Sequence, residues 1–396
     1  IDRIHYESEK TLEIRVKNKE FLLNTETYEL EVLEEESDSN WNEISSPDDK
    51  WKAFSKDYNL YLKSANGQRI KQLSTTGKKN YEYGSWYGWG DIMEGENGDR
   101  PFRFGVNWSS DSEWIAANIC DLRNAEKMFL LDWSIDSLYR PKLLSYYRGS
   151  PGDTTMVYME PVFFNVQSGK EIKPDLPKAT HINNIDVEWT NIPGEVLLVN
   201  MSRGYQNLYI HKFDLNTEEK ELVYTESSET NIDNFEYELL KKSNQLFFLS
   251  EKSGWRQLYK LNLDTKEETL LTEGGFYINS IKYIDEEAGK IYFMASGREA
   301  ELNPYYEQLY SVGFDGKDLQ RLTGEDVHHL ISISKDGNYF VDNYSTVNIP
   351  TKTVLRSAEN GEIMATLGEA NTSSLKHWSA PEVFTATARD GKTTLY

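Results

Sequence analysis

A short phrase recurs along this chain: Asn or Gln, then Leu-Tyr, then a closing Leu on a second strand. It reads Asn59-Leu60-Tyr61 to Leu73-Ser74, Asn207-Leu208-Tyr209 to Leu222, Gln257-Leu258-Tyr259 to Leu271-Thr272, and Gln308-Leu309-Tyr310 to Leu322-Thr323. The gaps from Leu-Tyr to the closing Leu are 13, 14, 13 and 13 residues, and the last three copies start 50 and 51 residues apart. Strand-turn-strand units at that period mark radially repeated sheets. One such unit cannot bury its apolar face alone, so neighbours must stack. The expected fold is all-β: a β-propeller of about seven to eight four-stranded blades over residues 1–380. A truncated first blade is one form this could take.

A second marker accompanies the first. Ser46-Pro47-Asp48 leads into Trp51-Lys52-Ala53-Phe54, Ser109-Ser110-Asp111 into Trp114-Ile115-Ala116, and Ser334-Lys335-Asp336-Gly337 into Tyr339-Phe340-Val341. These residues suit a tight bend before an inner strand. Two stretches break the pattern. Residues 81–103 are rich in Gly and aromatic side chains, and residues 140–170 contain the turn cluster Arg148-Gly149-Ser150-Pro151-Gly152-Asp153. Long excursions from a repeat fold tend to carry function or oligomer contacts. The acidic run Glu34, Glu35, Glu36 and Asp38 reads as a solvated connection.

At 396 residues the chain exceeds the roughly 250–300 that one core supports, a limit that blades with separate interfaces escape. Its formal charge of −22 repels nucleic acid and anionic lipid, which are discounted as partners. The charge favours a cationic ligand terminus only weakly, because salt screens exposed charge within about 8–10 Å. Cys120 is the sole cysteine and lies in an apolar strand, so it is expected to be buried and inert, with no internal disulfide. No run approaches the ~20 apolar residues of a membrane span. The chain begins at Ile1 rather than Met, so the lack of a visible signal peptide carries no information. No cofactor or metal is expected. His328 and His329 face opposite sides of a strand, and no His-x-His, paired-Cys or Asp-rich calcium loop occurs.

Several phrases, in order, resemble the N-terminal propeller of the dipeptidyl peptidase IV branch of the prolyl oligopeptidase family. They are Ser46 to Phe54 with Asn59-Leu60-Tyr61, Asn107-Trp108-Ser109-Ser110-Asp111-Ser112, and Tyr146-Tyr147-Arg148-Gly149-Ser150-Pro151-Gly152. Ser250 to Tyr259, and Asn303-Pro304 ahead of Gln308-Leu309-Tyr310, complete the set. The resemblance implies an adjoining α/β-hydrolase domain with a Ser-Asp-His triad. Residues 381–396, with Pro381-Glu382-Val383-Phe384 and Asp390-Gly391, resemble the approach to that domain. No Gly-x-Ser-x-Gly occurs in the chain, and that strained elbow is how such enzymes present the nucleophile. The chain on its own is therefore expected to carry no acyl-transfer chemistry and no catalytic residue. His377 precedes the place where the nucleophile would lie, whereas the family's histidine follows it, so it is not read as the triad base.

The resemblance further implies a substrate-gating and amino-terminus-anchoring role, with short peptides as substrate. The family's exopeptidases hold the free amino terminus on paired glutamates, and a buried ammonium needs such partners. The matching region here offers Glu94 and Glu96, separated by Gly95, beside Trp86, Tyr87 and Trp89 as pocket-lining rings. The bland reading is a solvated acidic loop with packing aromatics. The family's carbonyl-holding arginine has no match: Lys17 and Lys19 stand near that place and lack the planar fork. A homodimer of the intact enzyme and a periplasmic or secreted location follow by the same analogy. Two other readings stay open: a non-enzymatic TolB-like binding propeller acting as a protein-interaction scaffold, and a sialidase-like glycosidase suggested by Ser334-Lys335-Asp336-Gly337.

Overall fold

The computed structural model describes residues 3–8, 10–16, 19–33, 43–88, 90–134, 140–233, 235–375, 379–382 and 384–395. Trp89, His377, Lys17 and the acidic run 34–42 lie outside the described residues. Every regular element among those described is a strand. The chain divides into two compact units, Ile1–Lys173 and Pro174–Tyr396.

The first unit holds three antiparallel sheets in which four strands pair in chain order, the third carrying further short strands beside them. The first runs Arg3–Ser8, Thr11–Val16, Lys19–Asn24 and Leu30–Leu33, so all four strands are present. The second runs Glu43–Ser45, Trp51–Lys56, Asn59–Ser64 and Ile70–Gln72, and the third Val106–Trp108, Trp114–Asp121, Tyr158–Asn165 and Glu171–Ile172. Leu60, Leu62, Tyr83, Ile115, Val162 and Phe164 form one core between the second and third sheets.

The second unit repeats the plan four times. Its sheets begin at Asp186–Trp189, Tyr237–Leu240, Tyr277–Asp285 and His328–Ile333, and end at Glu219–Ser227, Glu268–Leu270, Gln320–Arg321 and Ile363–Glu369. Phe247, Leu249 and Leu258 of one sheet pack on Ile291 and Phe293 of the next. A short hairpin, Ala386–Thr387 with Thr394–Leu395, follows. Seven blade-like sheets are thus present among the described residues, three in the first unit and four in the second.

The recurring phrase has a physical cause. Leu60, Leu258 and Leu309 are fully buried, and the closing Leu73, Leu271 and Leu322 are buried. Each buried leucine is worth about 1.5–3 kcal/mol of apolar transfer. The polar residues flanking them lock the strand pair. The Ser74, Thr272 and Thr323 hydroxyls accept the Leu60, Leu258 and Leu309 amides at 2.9, 3.0 and 3.0 Å. The same hydroxyls donate to the side-chain oxygens of Asn59, Gln257 and Gln308 at 3.1, 2.7 and 2.8 Å. The Asn207 copy departs from the expected reading. Leu222 is 45% exposed and closes nothing. A bulge between Ile210 and His211 and a longer hairpin carry the lock on to Ser227, whose hydroxyl donates to Asn207 at 2.8 Å.

The Ser-x-Asp turns are equally uniform. Ser46, Ser109 and Ser334 donate to Asp48, Asp111 and Asp336 at 2.7, 2.5 and 2.6 Å. Each serine also accepts the amide of the first residue of the strand, Trp51, Trp114 or Tyr339, at 2.9–3.1 Å. Gly337 takes φ +69°, and a Cβ there would come within 2.6 Å of the Tyr283 ring, so no side chain fits.

Candidate functional site

The two irregular stretches of the first unit meet. Tyr81–Tyr83 joins the edge of the third sheet against Ile119, Cys120 and Asp121. The chain then leaves the sheet, and Met93–Glu94 pairs with the hairpin strand Lys142–Tyr147, which pairs in turn with Lys127–Asp132. Thus residues that read as loop form a separate three-stranded sheet. The turn that follows Glu94 is tight: Gly95 takes φ +73°, and a Cβ at Gly98 would collide with the Glu94 backbone. The Gly95 carbonyl accepts the Ser145 hydroxyl at 2.5 Å, which fastens the turn to the hairpin.

Beneath this excursion lies a buried knot of charge. Asp91 is fully buried and accepts Arg103 Nε at 2.5 Å, Arg100 Nη1 at 3.4 Å and the Gly88 amide at 3.2 Å. Glu82, also buried, pairs with Arg100 Nη2 and accepts the Ser85 hydroxyl at 3.0 Å. Arg100 further donates to the Trp86 and Pro101 carbonyls. The knot is nearly saturated with partners, as buried charge requires. It fixes the loop rather than offering itself to a ligand. Tyr87 is buried beside it, edge-on to Tyr147 at 6.1 Å, and burial pushes its hydroxyl up to about 12.

A cleft of about 350 Å³ opens over the knot, lined among others by Tyr58, Lys79, Asp99, Arg100, Lys127 and Tyr147. Lys79 and Asp99 pair across it, each favouring the other's charged form. Lys127 Nζ sits 5.1 Å from the Tyr147 ring centre and donates to the Glu96 carbonyl at 2.8 Å.

The sequence-expected residues are placed as follows. The Glu94 side chain is 71% exposed and pairs with Lys142 at 2.6 Å. Glu96 is exposed on the same turn. Trp86 is 42% exposed, with the Arg103 guanidinium 4.8 Å from its ring. Glu94, Glu96 and Trp86 therefore belong to one excursion, while the residues walling the cleft include Arg100, Lys127 and Tyr147, which the sequence reading passed over. The Arg100-x-x-Arg103 spacing, with Asp91 and Glu82 upstream, was the available signal. Cys120 is buried, and burial pushes its thiol up to about 12, which keeps it protonated. His328 and His329 do alternate: His328 is half-buried, and buried His329 shares Asp342 with Arg356, at 2.9 Å to each.

The sequence profile described as "Dipeptidyl peptidase IV (DPP IV) N-terminal region" matches residues 4–351. A probable dipeptidyl-aminopeptidase B of Uncinocarpus reesii is 22% identical over 395 residues, covering 89% of this chain and 40% of that protein. Another, of Ajellomyces dermatitidis, is 30% identical over 116 residues, 28% of this chain and 12% of its own length. Among solved structures, Porphyromonas gingivalis dipeptidyl peptidase 4 superposes with a TM-score of 0.71 at 15% identity, covering 98% of this chain and 54% of that one. A putative dipeptidyl aminopeptidase IV from Bacteroides ovatus gives 0.69 at 15% identity, covering 99% and 56%. At that identity the structures speak for the fold alone, an all-β propeller. The chain spans 40% of the Uncinocarpus relative and about half of each structural one. On the match over residues 4–351, this chain belongs to the family of dipeptidyl peptidase IV N-terminal regions.

Proposed function

We propose that the chain is the substrate-gating and amino-terminus-anchoring propeller of a serine peptidase acting on short peptides, partnered by an α/β-hydrolase domain outside these 396 residues. The observation that carries this reading is the excursion itself. A Gly-rich turn bearing Glu94 and Glu96 is held rigid by the Arg100 and Arg103 knot and by the hairpin strand. Rigid placement is what an anchoring carboxylate needs. The Glu94–Lys142 pair is exposed, and such pairs are worth about 0–1 kcal/mol, so an incoming ammonium displaces Lys142 at little cost. Glu96 makes no ion pair among the described residues. Trp86 supplies a ring face beside the turn for proline-like residues.

The test uses the full-length, hydrolase-bearing protein. Glu94→Gln with Glu96→Gln removes charge-assisted bonds worth about 1.5–3 kcal/mol. That raises KM about 10- to 100-fold for peptides with free amino ends and leaves N-blocked peptides unchanged. Equal effects on both substrate types defeat the anchoring role.

The same reading includes a homodimer and export to the periplasm or medium. The dimer is supported by the hairpin, where Met128, Phe129, Leu130 and Leu131 are exposed in succession and Leu143 stands exposed on the paired strand. Phe129→Asp with Leu131→Asp should shift the sedimentation coefficient of the full-length protein to that of a monomer. A monomeric wild type would end the dimer reading.

A further inference from the structure

The second unit contains a cleft that the proposed peptidase role does not use. It has a volume of about 440 Å³, within the range of small-ligand sites. Three segments build it. His181 to Asp186 leads into the first strand of the fourth sheet, Val199 to Leu208 makes the turn between its second and third strands, and Asn231, Ile232, Asp233 and Phe235 precede the fifth sheet.

The walls are fixed. Asn183 accepts the Thr180 amide at 3.2 Å and donates to the Met201 carbonyl at 2.8 Å. The Ile232 amide donates to the Tyr205 carbonyl at 2.5 Å, which ties the third segment to the turn. Phe235 is packed against Phe248 and Tyr237, with ring centres 5.5 and 5.8 Å apart.

The chemistry of the lining is one-sided. Two exposed carboxylates, Asp186 and Asp233, border a cleft that no lysine or arginine lines. Neither makes an ion pair among the described residues. The Asn184 side-chain oxygen is buried there and accepts no hydrogen bond. The Tyr205 and Phe235 rings complete the wall. Surplus acceptors, unpaired negative charge and aromatic walls together suit a positively charged hydrogen-bond donor. An anion would meet two like charges, and a plain apolar ligand would leave the buried acceptor unmet. The surroundings deepen the deficit. Burial and then Glu188 raise the Asp186 carboxyl above its ordinary value, and burial and then Glu236 raise that of Glu238 on the neighbouring strand. A bound cation relieves that repulsion.

We infer that this cleft is a binding site for an alkylammonium group, with Asp186 and Asp233 as its counter-charges, Asn184 as a hydrogen-bond acceptor, and Tyr205 and Phe235 as ring walls. The site is independent of the Glu94 and Glu96 turn, and its test involves no turnover. Calorimetric titration of the 396-residue chain with 1,5-diaminopentane asks about a free small amine, and titration with N-acetyl-lysine amide asks about a lysine side chain. Saturable binding of either is expected, and which one binds assigns the source. N,N′-diacetyl-1,5-diaminopentane, which keeps the chain and loses the charge, should not bind. Asp186→Asn with Asp233→Asn should weaken binding at least tenfold. Glu286→Gln with Glu287→Gln makes the same change in net charge on an exposed turn and should leave binding within twofold. Because the chain carries −22, this control separates a site from diffuse attraction. Asp186→Asn relieves repulsion, so the variant should unfold no earlier than wild type, and a loss of binding then reports on the site. No binding of either amine, or equal losses in the cleft and control variants, would overturn the inference.

Discussion

The lock that closes the fifth sheet makes a sharp prediction at Thr272. Its hydroxyl does two jobs in a buried place: it accepts the Leu258 amide at 3.0 Å and donates to Gln257 Oε1 at 2.7 Å. Thr272, Gln257 and Leu258 are all buried. Thr272→Val keeps the shape and removes the hydroxyl. It orphans one amide and one side-chain oxygen, while Gln257 keeps its bond to the Phe276 carbonyl at 2.8 Å. An unmet buried polar group costs about 1–3 kcal/mol, and the two orphans share one small pocket that relaxes together, so about 2–3 kcal/mol is expected. Thr272→Ser keeps both bonds and loses one methyl, about 0.8 kcal/mol. The valine variant should thus be less stable than the serine variant by roughly 1–2 kcal/mol in urea denaturation. A local readout avoids any assumption that the whole chain unfolds in one step. Amide exchange at Leu258 should accelerate about 10- to 100-fold in Thr272→Val at low denaturant and barely change in Thr272→Ser. If Leu258 exchanges at the wild-type rate in the valine variant, the hydroxyl bonds do not hold the strand pair. The explanation of the repeat would then fall.

The other predictions are shorter. Leu271→Ala should cost about 2–5 kcal/mol and Leu222→Ala under about 1, because only Leu271 is buried; equal losses would contradict the longer hairpin of the fourth sheet. Arg100→Met should cost about 3–5 kcal/mol by stranding buried Glu82, and adding Glu82→Gln should recover much of it in a double-mutant cycle. Burial raises the Glu325 carboxyl, but the hydrogen bonds and charge of Arg356 outweigh it and hold the group below its ordinary value. A folded pKa below the unfolded one stabilises fully above the unfolded value of about 4.3, and that stability is lost as pH falls through the lower, folded value. The stability gap between wild type and Glu325→Gln should therefore be widest at pH 7 and close toward pH 3. A gap that widens in acid would refute the sign.

The propeller was legible because its markers are local. Leu-Tyr, the closing Leu and the Ser-x-Asp turn each lie within one hairpin, and burial of both leucines makes the spacing rigid. The Asn207 copy failed at Leu222 for a local reason too. A one-residue bulge and a longer hairpin together move the closing hydroxyl to Ser227, and sequence spacing reveals neither. The excursion of residues 81–103 was visible as an irregular stretch, but its partner was not. Met93 and Glu94 pair with Ser145 and Leu144, about fifty residues away, and a two-residue strand carries no register signal. The hairpin run Met128-Phe129-Leu130-Leu131 has the composition of a core strand, yet it is exposed.

Charge is used in two ways in this molecule. The sequence reading gave Glu82, Asp91 and Arg100 no role, and the structure buries their side chains together. Asp186 and Asp233 line a cleft that no lysine or arginine shares, and both stay exposed. The two cases differ in whether the fold supplies the counter-charge. Where arginine is supplied, the acids are spent on holding a loop, and mutation costs stability. Where it is withheld, the carboxylates stay exposed and unpaired among the described residues, and their charge is left for a cationic ligand. An excess of acid over base across the chain cannot distinguish these cases, because it counts charges without saying which are already paired. Pairing is decided by contacts between residues distant in sequence, and those are the part of this molecule that only the folded chain displays.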